Sequence, residues 1–179
     1  MSQQPAAQPV FDSLLHQYHY LGYTSAVGQN LKYLVRDLQG RDLACVVFGA
    51  AAWKTRARDL FIGWTAAQRQ AHLHQVASNS RFLILPWVHV PELASHILGR
   101  VARRIAADWQ GRYGHGVALL ETFVERSRFR GSCYRAANWI GVGQTQGRTR
   151  QDRQHVLQTP VKDVLVYPLQ RDFREVLCR

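Results

Sequence analysis

The stretch GSCYRAANWIGVGQTQGRTR, residues 131–150, carries the strongest evidence for the fold. Its first part has the spacing of a short helix around Tyr134, and its second part alternates like a strand from Trp139 onward. Gly141 and Gly143 lie inside that strand, where glycine marks a bulge or a close backbone approach. The stretch therefore predicts a short helix at 132–138, a strand at 139–145 and a basic loop.

On either side of this stretch, hydrophobic periodicity predicts an α/β sandwich with a mixed sheet. An apolar run at 81–90 predicts a buried strand, interrupted by Pro86, and Pro91 with Glu92 opens a long amphipathic helix that reaches residue 109. The other predicted elements are a helix at 10–18, an antiparallel meander of strands at 31–37, 42–53 and 60–64, a helix at 66–78 capped by Thr65, and strands at 117–125 and 161–169.

The length and composition suit one domain. The chain has 179 residues, of which 46% are hydrophobic, enough for a single sizeable core. Residues 1–9 lack apolar periodicity and predict a disordered lead-in, so the predicted domain spans 10–179. Three widely spaced cysteines indicate a reducing cytoplasm. No apolar run approaches the length of a membrane span, and no segment predicts binding to a membrane surface.

The charge is strongly basic, with a formal net charge of +11 and a pI of about 10.3. Nearly all of this positive charge is Arg, whose planar guanidinium pairs with phosphate and stacks on bases. The composition therefore predicts a nucleic-acid partner, DNA or RNA, although a basic composition without such a partner is the alternative. The residues expected on the binding face are Lys54, Arg56, Arg58, Arg126, Arg128, Arg130, Arg135, Arg148, Arg150 and Arg153.

Four side chains are candidates for chemistry. Tyr134 can act as a general acid or pack on the sheet, and His19 can act as a base or cap a helix end. Glu121 lies mid-strand in an apolar run, as either a site carboxylate or half of a structural pair with an arginine such as Arg81. Asn138 can bond a substrate or cap its helix.

The sequence predicts no metal site. His72 and His74 are two apart on a helix, so they do not share a face, and no Cys or carboxylate completes a zinc spacing.

The element order from residue 80 to 145 resembles the core of the GNAT acyltransferases. In that superfamily a short helix carries a tyrosine, followed four and five residues later by a glycine and an aromatic residue. Tyr134 and Trp139 match the tyrosine and the aromatic, whereas Asn138 replaces the glycine. The resemblance implies a GNAT-like mixed sheet with an antiparallel N-terminal meander and flanking helices.

A resemblance over nearly the whole chain is to the DruA family. Its blocks are HYLG at 19–22, FGAAAWK at 48–54, IGW at 62–64, NSRFLILPWV at 79–88, LASHILGR at 93–100 and YRAANWIGVGQTQGR at 134–148. The family occurs in Druantia anti-phage systems and beside transposon proteins, which implies defence or transposon proteins as partners. The block at 80–100 also resembles, more loosely, the phage Mom-type DNA modification proteins.

One turn departs from the GNAT pattern. Acyl-CoA enzymes of this type place glycines before the long helix, where backbone N–H groups bind the pyrophosphate. The equivalent turn at 89–95 has no glycine, Pro91 lacks an N–H, and Glu92 would repel phosphate. The acyl-CoA cofactor that the fold implies is therefore disfavoured. A binding protein and a transferase that modifies nucleic acid both remain open, and a cofactor-sized cleft between the strands at 81–88 and 117–124 is the feature to look for.

Overall fold

The fold is a six-stranded mixed sheet with helices on both faces, in a computed structural model that describes residues 8–23, 27–147 and 159–179. The strands are β1 Asn30–Arg36, β2 Asp42–Ala50, β3 Val76–Ile84, β4 Leu119–Glu125, β5 Ile140–Gln144 and β6 Lys162–Pro168. The helices are α1 Gln8–Tyr18, α2 Arg56–Ile62, α3 Ala66–His72, α4 Leu93–Ala102, α5 Ile105–Tyr113, α6 Ser132–Ala136 and α7 Phe173–Leu177. The predicted α/β class and mixed sheet are confirmed.

The sheet order is β1-β2-β3-β4-β6-β5, and its centre opens between β3 and β4. These two strands run parallel, and their pairing covers only Val76–Asn79 against Leu119–Thr122. Beyond Asn79, β3 continues alongside β2, while β4 continues alongside β6 as far as Glu125. Because the two central strands part, the second half of each has one edge without a sheet neighbour, and a cleft forms there.

The N-terminal meander is present, but its third strand is β3. Residues 60–64, predicted as a strand, belong instead to α2 and the turn after it. Arg58 and Ile62, four residues apart, are the buried positions of α2, so the helix buries one face. Gly63 ends the helix with a φ of 88°, a left-handed conformation that glycine adopts without strain. A run this short does not distinguish a strand from one buried helical face.

Thr65 caps α3 as predicted, and its hydroxyl accepts the N–H of Gln68 while the Gln68 side chain accepts the N–H of Thr65. The helix ends earlier than residue 78, because a single 3-10 turn over Leu73–Gln75 leads directly into β3. Pro86 lies beyond the end of β3, so it removes no hydrogen bond from the sheet.

The long helix predicted from residue 91 to 109 is two helices. α4 ends at Ala102 and α5 begins at Ile105, with a turn at Arg103 and Arg104 between them. The side chains of Ile97, Leu98, Val101, Ile105 and Trp109 are nevertheless all buried against the same core. The apolar stripe therefore follows the sheet across the break, and the sequence pattern shows the stripe without the break.

The two faces of the sheet are covered by different helices. α4, α5 and α6 pack on one face, where Leu120 and Leu165 contribute to the largest apolar cluster. α1 covers Cys45 and Val47 of β2, and α2 and α7 cover the other half of the sheet around Leu119. None of the helices in the described residues is long and apolar enough to cross a membrane.

Candidate functional site

A cleft of about 620 Å³ lies where β3 and β4 separate. Its walls come from residues 78–84 of β3 and residues 122–125 of β4. The residues after α1, the loop after β4 and the start of α6 close its sides. The cleft lies between the two strands singled out in the sequence, and its volume is in the range of ligand-binding pockets, about 300–1,000 Å³.

Tyr134 lies on the wall of this cleft. The residue is buried, and its hydroxyl donates a hydrogen bond of 2.6 Å to the side-chain oxygen of Asn79 on β3. The amide group of Asn79 donates in turn to the carbonyl of Val47 on β2. Burial raises the pKa of the Tyr134 hydroxyl. The tyrosine therefore joins α6 to the centre of the sheet, and the general-acid role stays a prediction.

His19 lies on the opposite side of the same cleft, directly after α1. Burial and the positive charge of Arg81 lower the pKa of His19 to about 4, so the imidazole is neutral near pH 7. Its Nδ1 atom accepts the backbone N–H of Leu21 at 3.2 Å, which leaves the proton on Nε2. The Nε2 atom is then a hydrogen-bond donor. A general base needs a ring nitrogen that is free to accept a proton, so this arrangement does not suit that role.

Glu121 does not reach the cleft. Its carboxylate is fully buried on the other face of β4, where it accepts the guanidinium of Arg58 at 2.8 Å and the N–H of Ala52 at 2.9 Å. Burial raises the pKa of Glu121, against the opposing effect of Arg58. Arg81, the partner suggested by the sequence, donates instead to the carbonyls of Gly22 and Ser80. This geometry is that of a structural ion pair between β4 and α2.

Asn138 lies outside the main cleft, directly after α6. Its φ of 65° is left-handed, and the N–H of Trp139 donates back to the carbonyl of Tyr134 at 3.0 Å, which closes the helix. Glycine and asparagine are the residues that adopt this conformation most readily. The side chain faces a smaller cleft of about 390 Å³ beside α4. Asn138 thus ends α6 in a left-handed backbone conformation, which is the helix-capping alternative expected from the sequence.

A basic cluster lies at one side of the mouth of the main cleft, and two of its members, Arg130 and Lys162, line it. Its members are Arg126, Arg128, Arg130, Arg135 and Lys162, which lie on the loop after β4, on α6 and at the start of β6. Two carboxylates face them: Asp163 is 3.6 Å from both Arg126 and Arg135, and Glu125 is 3.1 Å from Arg128. Five cations against two anions leave this surface with an excess of positive charge.

The other predicted basic residues are not part of this cluster. The side chain of Arg58 is fully buried, where it pairs with Glu121 and Asp59. Its predicted place on a binding face is therefore wrong. Lys54 and Arg56 are exposed at the start of α2, which packs beside β5 rather than beside the cleft. Arg148, Arg150 and Arg153 lie outside the described residues.

The sequence did not indicate several residues of the cleft. Asn79 accepts the hydrogen bond of Tyr134. Arg81 and Lys162 add positive charge to the lining, and Phe129 forms the rim together with Tyr20. Asn79 and Arg81 stand close together in the polar sequence NSR inside an otherwise apolar strand, which is a usable signal. Tyr20 and Phe129 come from distant segments, and no local pattern links them.

The turn before α4 does not fit the pyrophosphate of acyl-CoA. The N–H of Leu93 is directed at the carbonyl of Val90 at 3.4 Å, and Pro91 has no N–H. Glu92 occupies the position before the helix with a φ of 56°, and its carboxylate lies 3.4 Å from the Ser95 hydroxyl. A carboxylate therefore lies at the helix N-terminus, where the anion would bind. Among the described residues there is also no group of three or more His, Cys, Asp or Glu that could hold a metal ion.

Solved structures with the same fold are acetyltransferases. A mutant of spermidine N-acetyltransferase from Vibrio cholerae superposes with a TM-score of 0.63 over 97% of this chain and 95% of its own, at 8% identity. The same enzyme in complex with CoA and spermine gives a TM-score of 0.58 over 93% and 90%, at 10% identity. The ribosomal-protein-S18-alanine N-acetyltransferase from Escherichia coli gives 0.58 over 95% and 92%, at 11% identity. At these identities the likeness shows the fold alone, and that fold is GNAT-like.

The family comparison covers most of the sequence. A comparison of the sequence with curated proteins finds no match. The model of the family described as Druantia protein DruA matches residues 2–159. This match includes β1 to β5, all but one of the helices, and every residue of the cleft except Lys162. The chain therefore belongs to the DruA family, and it has a GNAT-like fold.

Proposed function

We propose that this protein binds nucleic acid through the basic cluster at the mouth of its cleft, as a component of an anti-phage defence or mobile-element system. The observation that carries the proposal is the excess of exposed arginine around one opening. Arg126, Arg128 and Arg135 are each more than half exposed while they are within ion-pair distance of a carboxylate. Exposed pairs of this kind are weak, about 0–1 kcal/mol, so phosphates can replace the carboxylates.

The charge of the cleft also favours an anionic ligand. The Vibrio cholerae enzyme was solved with spermine, which is a cation. Here Arg81, Arg130 and Lys162 line the cleft together with a single carboxylate, Glu125. Such a lining repels a polyamine and attracts an anion. The cationic lining disfavours spermine, and the acidic turn before α4 disfavours CoA. A polyanion that binds at the cleft is therefore favoured over both ligands of that relative.

The test is the salt dependence of binding, measured by fluorescence anisotropy with labelled DNA and RNA oligonucleotides, single-stranded and duplex, between about 50 and 200 mM salt. We expect Arg126→Ala/Arg130→Ala to weaken binding and to reduce the slope of log K against log salt by about 2, because each arginine neutralises about one phosphate. The matched control is Arg112→Ala/Arg171→Ala, because these exposed arginines lie at the opposite end of β4 and β6. Equal slopes in the two double variants, or no binding at low salt, would refute the proposal.

A second candidate function is enzymatic, the transfer of a group to nucleic acid with Tyr134 as general acid. The observation that favours it is the position of Tyr134 on the wall of the cleft, with the hydroxyl 2.6 Å from Asn79. Mass spectrometry of nucleosides from cells expressing the protein tests it. A modified nucleoside that disappears with Tyr134→Phe would support this function, and unmodified nucleosides would count against it.

A further inference from the structure

Exposed aromatic side chains are concentrated at the rim of the cleft. Tyr18, Tyr20 and Phe129 line it with exposed fractions of 43%, 41% and 47%, and Trp87, 56% exposed, packs edge-on against Tyr18 at 5.4 Å. Among the described residues, the one other exposed Phe, Tyr or Trp is Trp53. Leaving this much aromatic surface in water is unfavourable, so its concentration at one opening indicates a ligand with flat, apolar faces.

The rim is held in place before any ligand binds. Tyr20 packs against Phe129 at 5.1 Å between ring centres, and the guanidinium of Arg128 lies 5.2 Å from the centre of the Tyr20 ring. The ring of His19 lies 4.9 Å from Tyr20, at an angle of 31°. Arg128 is anchored in turn by Glu125. A group of rings fixed by their neighbours loses little conformational freedom on binding, which suits stacking.

The lining behind the rim combines positive charge with neutral polar groups. Arg81, Arg130 and Lys162 can meet a phosphate, and Ser78 and Ser80 offer hydroxyl groups beside them. A ligand that satisfies rim and lining together has an aromatic ring joined to an anion through a polar linker. A nucleotide has this chemistry. The bases of a duplex are already stacked on each other, so the rim can engage only a base that is free of its neighbours.

From this combination we infer that the cleft accepts a single unstacked nucleotide of a DNA or RNA strand, with its base against Tyr20 and Phe129 and its phosphate toward Arg81, Arg130 and Lys162. The inference rests on the proposed nucleic-acid binding and adds the form of the ligand. It predicts a preference for single strands, or for duplexes with an unpaired base, over perfect duplexes. It also predicts little dependence on base identity, because every base has a flat face.

The test compares rim variants with an aromatic control. Anisotropy titrations use a labelled oligo-dT, a labelled oligo-rU, and a perfect DNA duplex, with wild type, Tyr20→Ala, Phe129→Ala and Trp53→Ala. Alanine substitution of a stacking ring weakens single-strand binding about 5- to 150-fold per base in other proteins. We expect losses in this range for Tyr20→Ala and Phe129→Ala on the single strands, little change on the duplex, and wild-type affinity for Trp53→Ala. The oligo-dT and oligo-rU titrations distinguish DNA from RNA as the source of the nucleotide.

A second readout reports the base directly. An oligonucleotide with one 2-aminopurine changes its fluorescence when that base leaves its own stack and meets protein rings. We expect a change with wild type that is abolished in Phe129→Ala, while thermal melting shows that the variant is folded. The inference is overturned if Tyr20→Ala and Phe129→Ala bind single strands as wild type does, or if Trp53→Ala loses as much affinity. In that outcome a reduced salt slope of Arg126→Ala/Arg130→Ala leaves the proposed function standing, whereas absence of all binding refutes both.

Discussion

Removing Arg58 should destabilise the protein severely, because it leaves a carboxylate buried without its cation. Arg58 and Glu121 both have side chains that are 0% exposed, and their charged atoms are 2.8 Å apart. In Arg58→Met the Glu121 carboxylate keeps the N–H of Ala52 as the donor seen in the structure. Breaking a buried pair from one side costs about 3–5 kcal/mol. For a chain of this size that corresponds to a fall in Tm of about 6–20 °C.

The assay is urea unfolding followed by the fluorescence of the five tryptophans. The variants are Arg58→Met, Glu121→Leu and the double variant. Their free energies of unfolding are compared provided that their m-values equal that of wild type, because the change then reports stability alone. Replacing both members of a buried pair with apolar residues is often near neutral. Asp59 then still has Thr55, Trp64 and Arg69 as donors. We therefore expect the double variant to be about 3–5 kcal/mol more stable than Arg58→Met. Additive losses in the double variant would refute the reasoning.

The pH dependence of Arg58→Met gives an independent check. Burial already raises the pKa of Glu121, and loss of Arg58 removes an effect that lowers it, so the pKa rises further. The native state of the variant then binds a proton more tightly than the unfolded chain does. Its stability must therefore fall as pH rises through the window between the unfolded and the folded pKa. The deficit relative to wild type should be smallest in acid and largest near pH 7, and a deficit independent of pH would contradict this account of Glu121.

Two further predictions concern the cleft. Tyr134→Phe should lower the free energy of unfolding in urea by about 1–3 kcal/mol, because the buried side-chain oxygen of Asn79 loses its 2.6 Å donor. The control is Tyr18→Phe at an exposed position, which should change stability by less than about 0.5 kcal/mol. Equal effects would contradict the structural role of the Tyr134 hydrogen bond. The pKa of His19 is lowered to about 4 in the fold, so the unfolded chain binds more protons between pH 4 and 6.5, and stability is lost as pH falls through that window. His19→Gln should lose less stability than wild type between pH 7 and 5 in the same assay, and an unchanged loss would show that His19 does not contribute to it.

Most of the order of elements was readable from the sequence, because the signals that predicted it are local. The tyrosine, Asn138 and Trp139 follow one another along a single short helix and its end, so their spacing predicts that helix and the strand after it. The cap at Thr65 needs only Gln68. The turn before α4 can be recognised as unsuited to pyrophosphate from Pro91 and Glu92 alone, and the structure adds the position of the Glu92 carboxylate.

The contents of the site depend on the tertiary structure. A carboxylate in an apolar strand fitted both a site residue and a structural pair with an arginine. The structure shows the pair, but the arginine is Arg58 on α2, a segment whose short apolar run resembled a strand. The cleft exists because β3 and β4 stop pairing after Asn79 and Thr122, a divergence set by the strands on either side. Its rim joins Tyr20 to Phe129 across most of the chain.

On its own, the sequence was enough to identify the residues from 131 to 147 that carry the tyrosine helix and the strand after it, the family, and the excess of positive charge. Which of those charges are available depends on the tertiary structure alone. It buried Arg58 in an ion pair, grouped Arg126, Arg128, Arg130 and Arg135 at one opening, and placed exposed rings beside them. The physical reason is that helices and caps are fixed by neighbours within a few residues, whereas ion pairs and clefts are fixed by chain segments that meet only when the sheet forms.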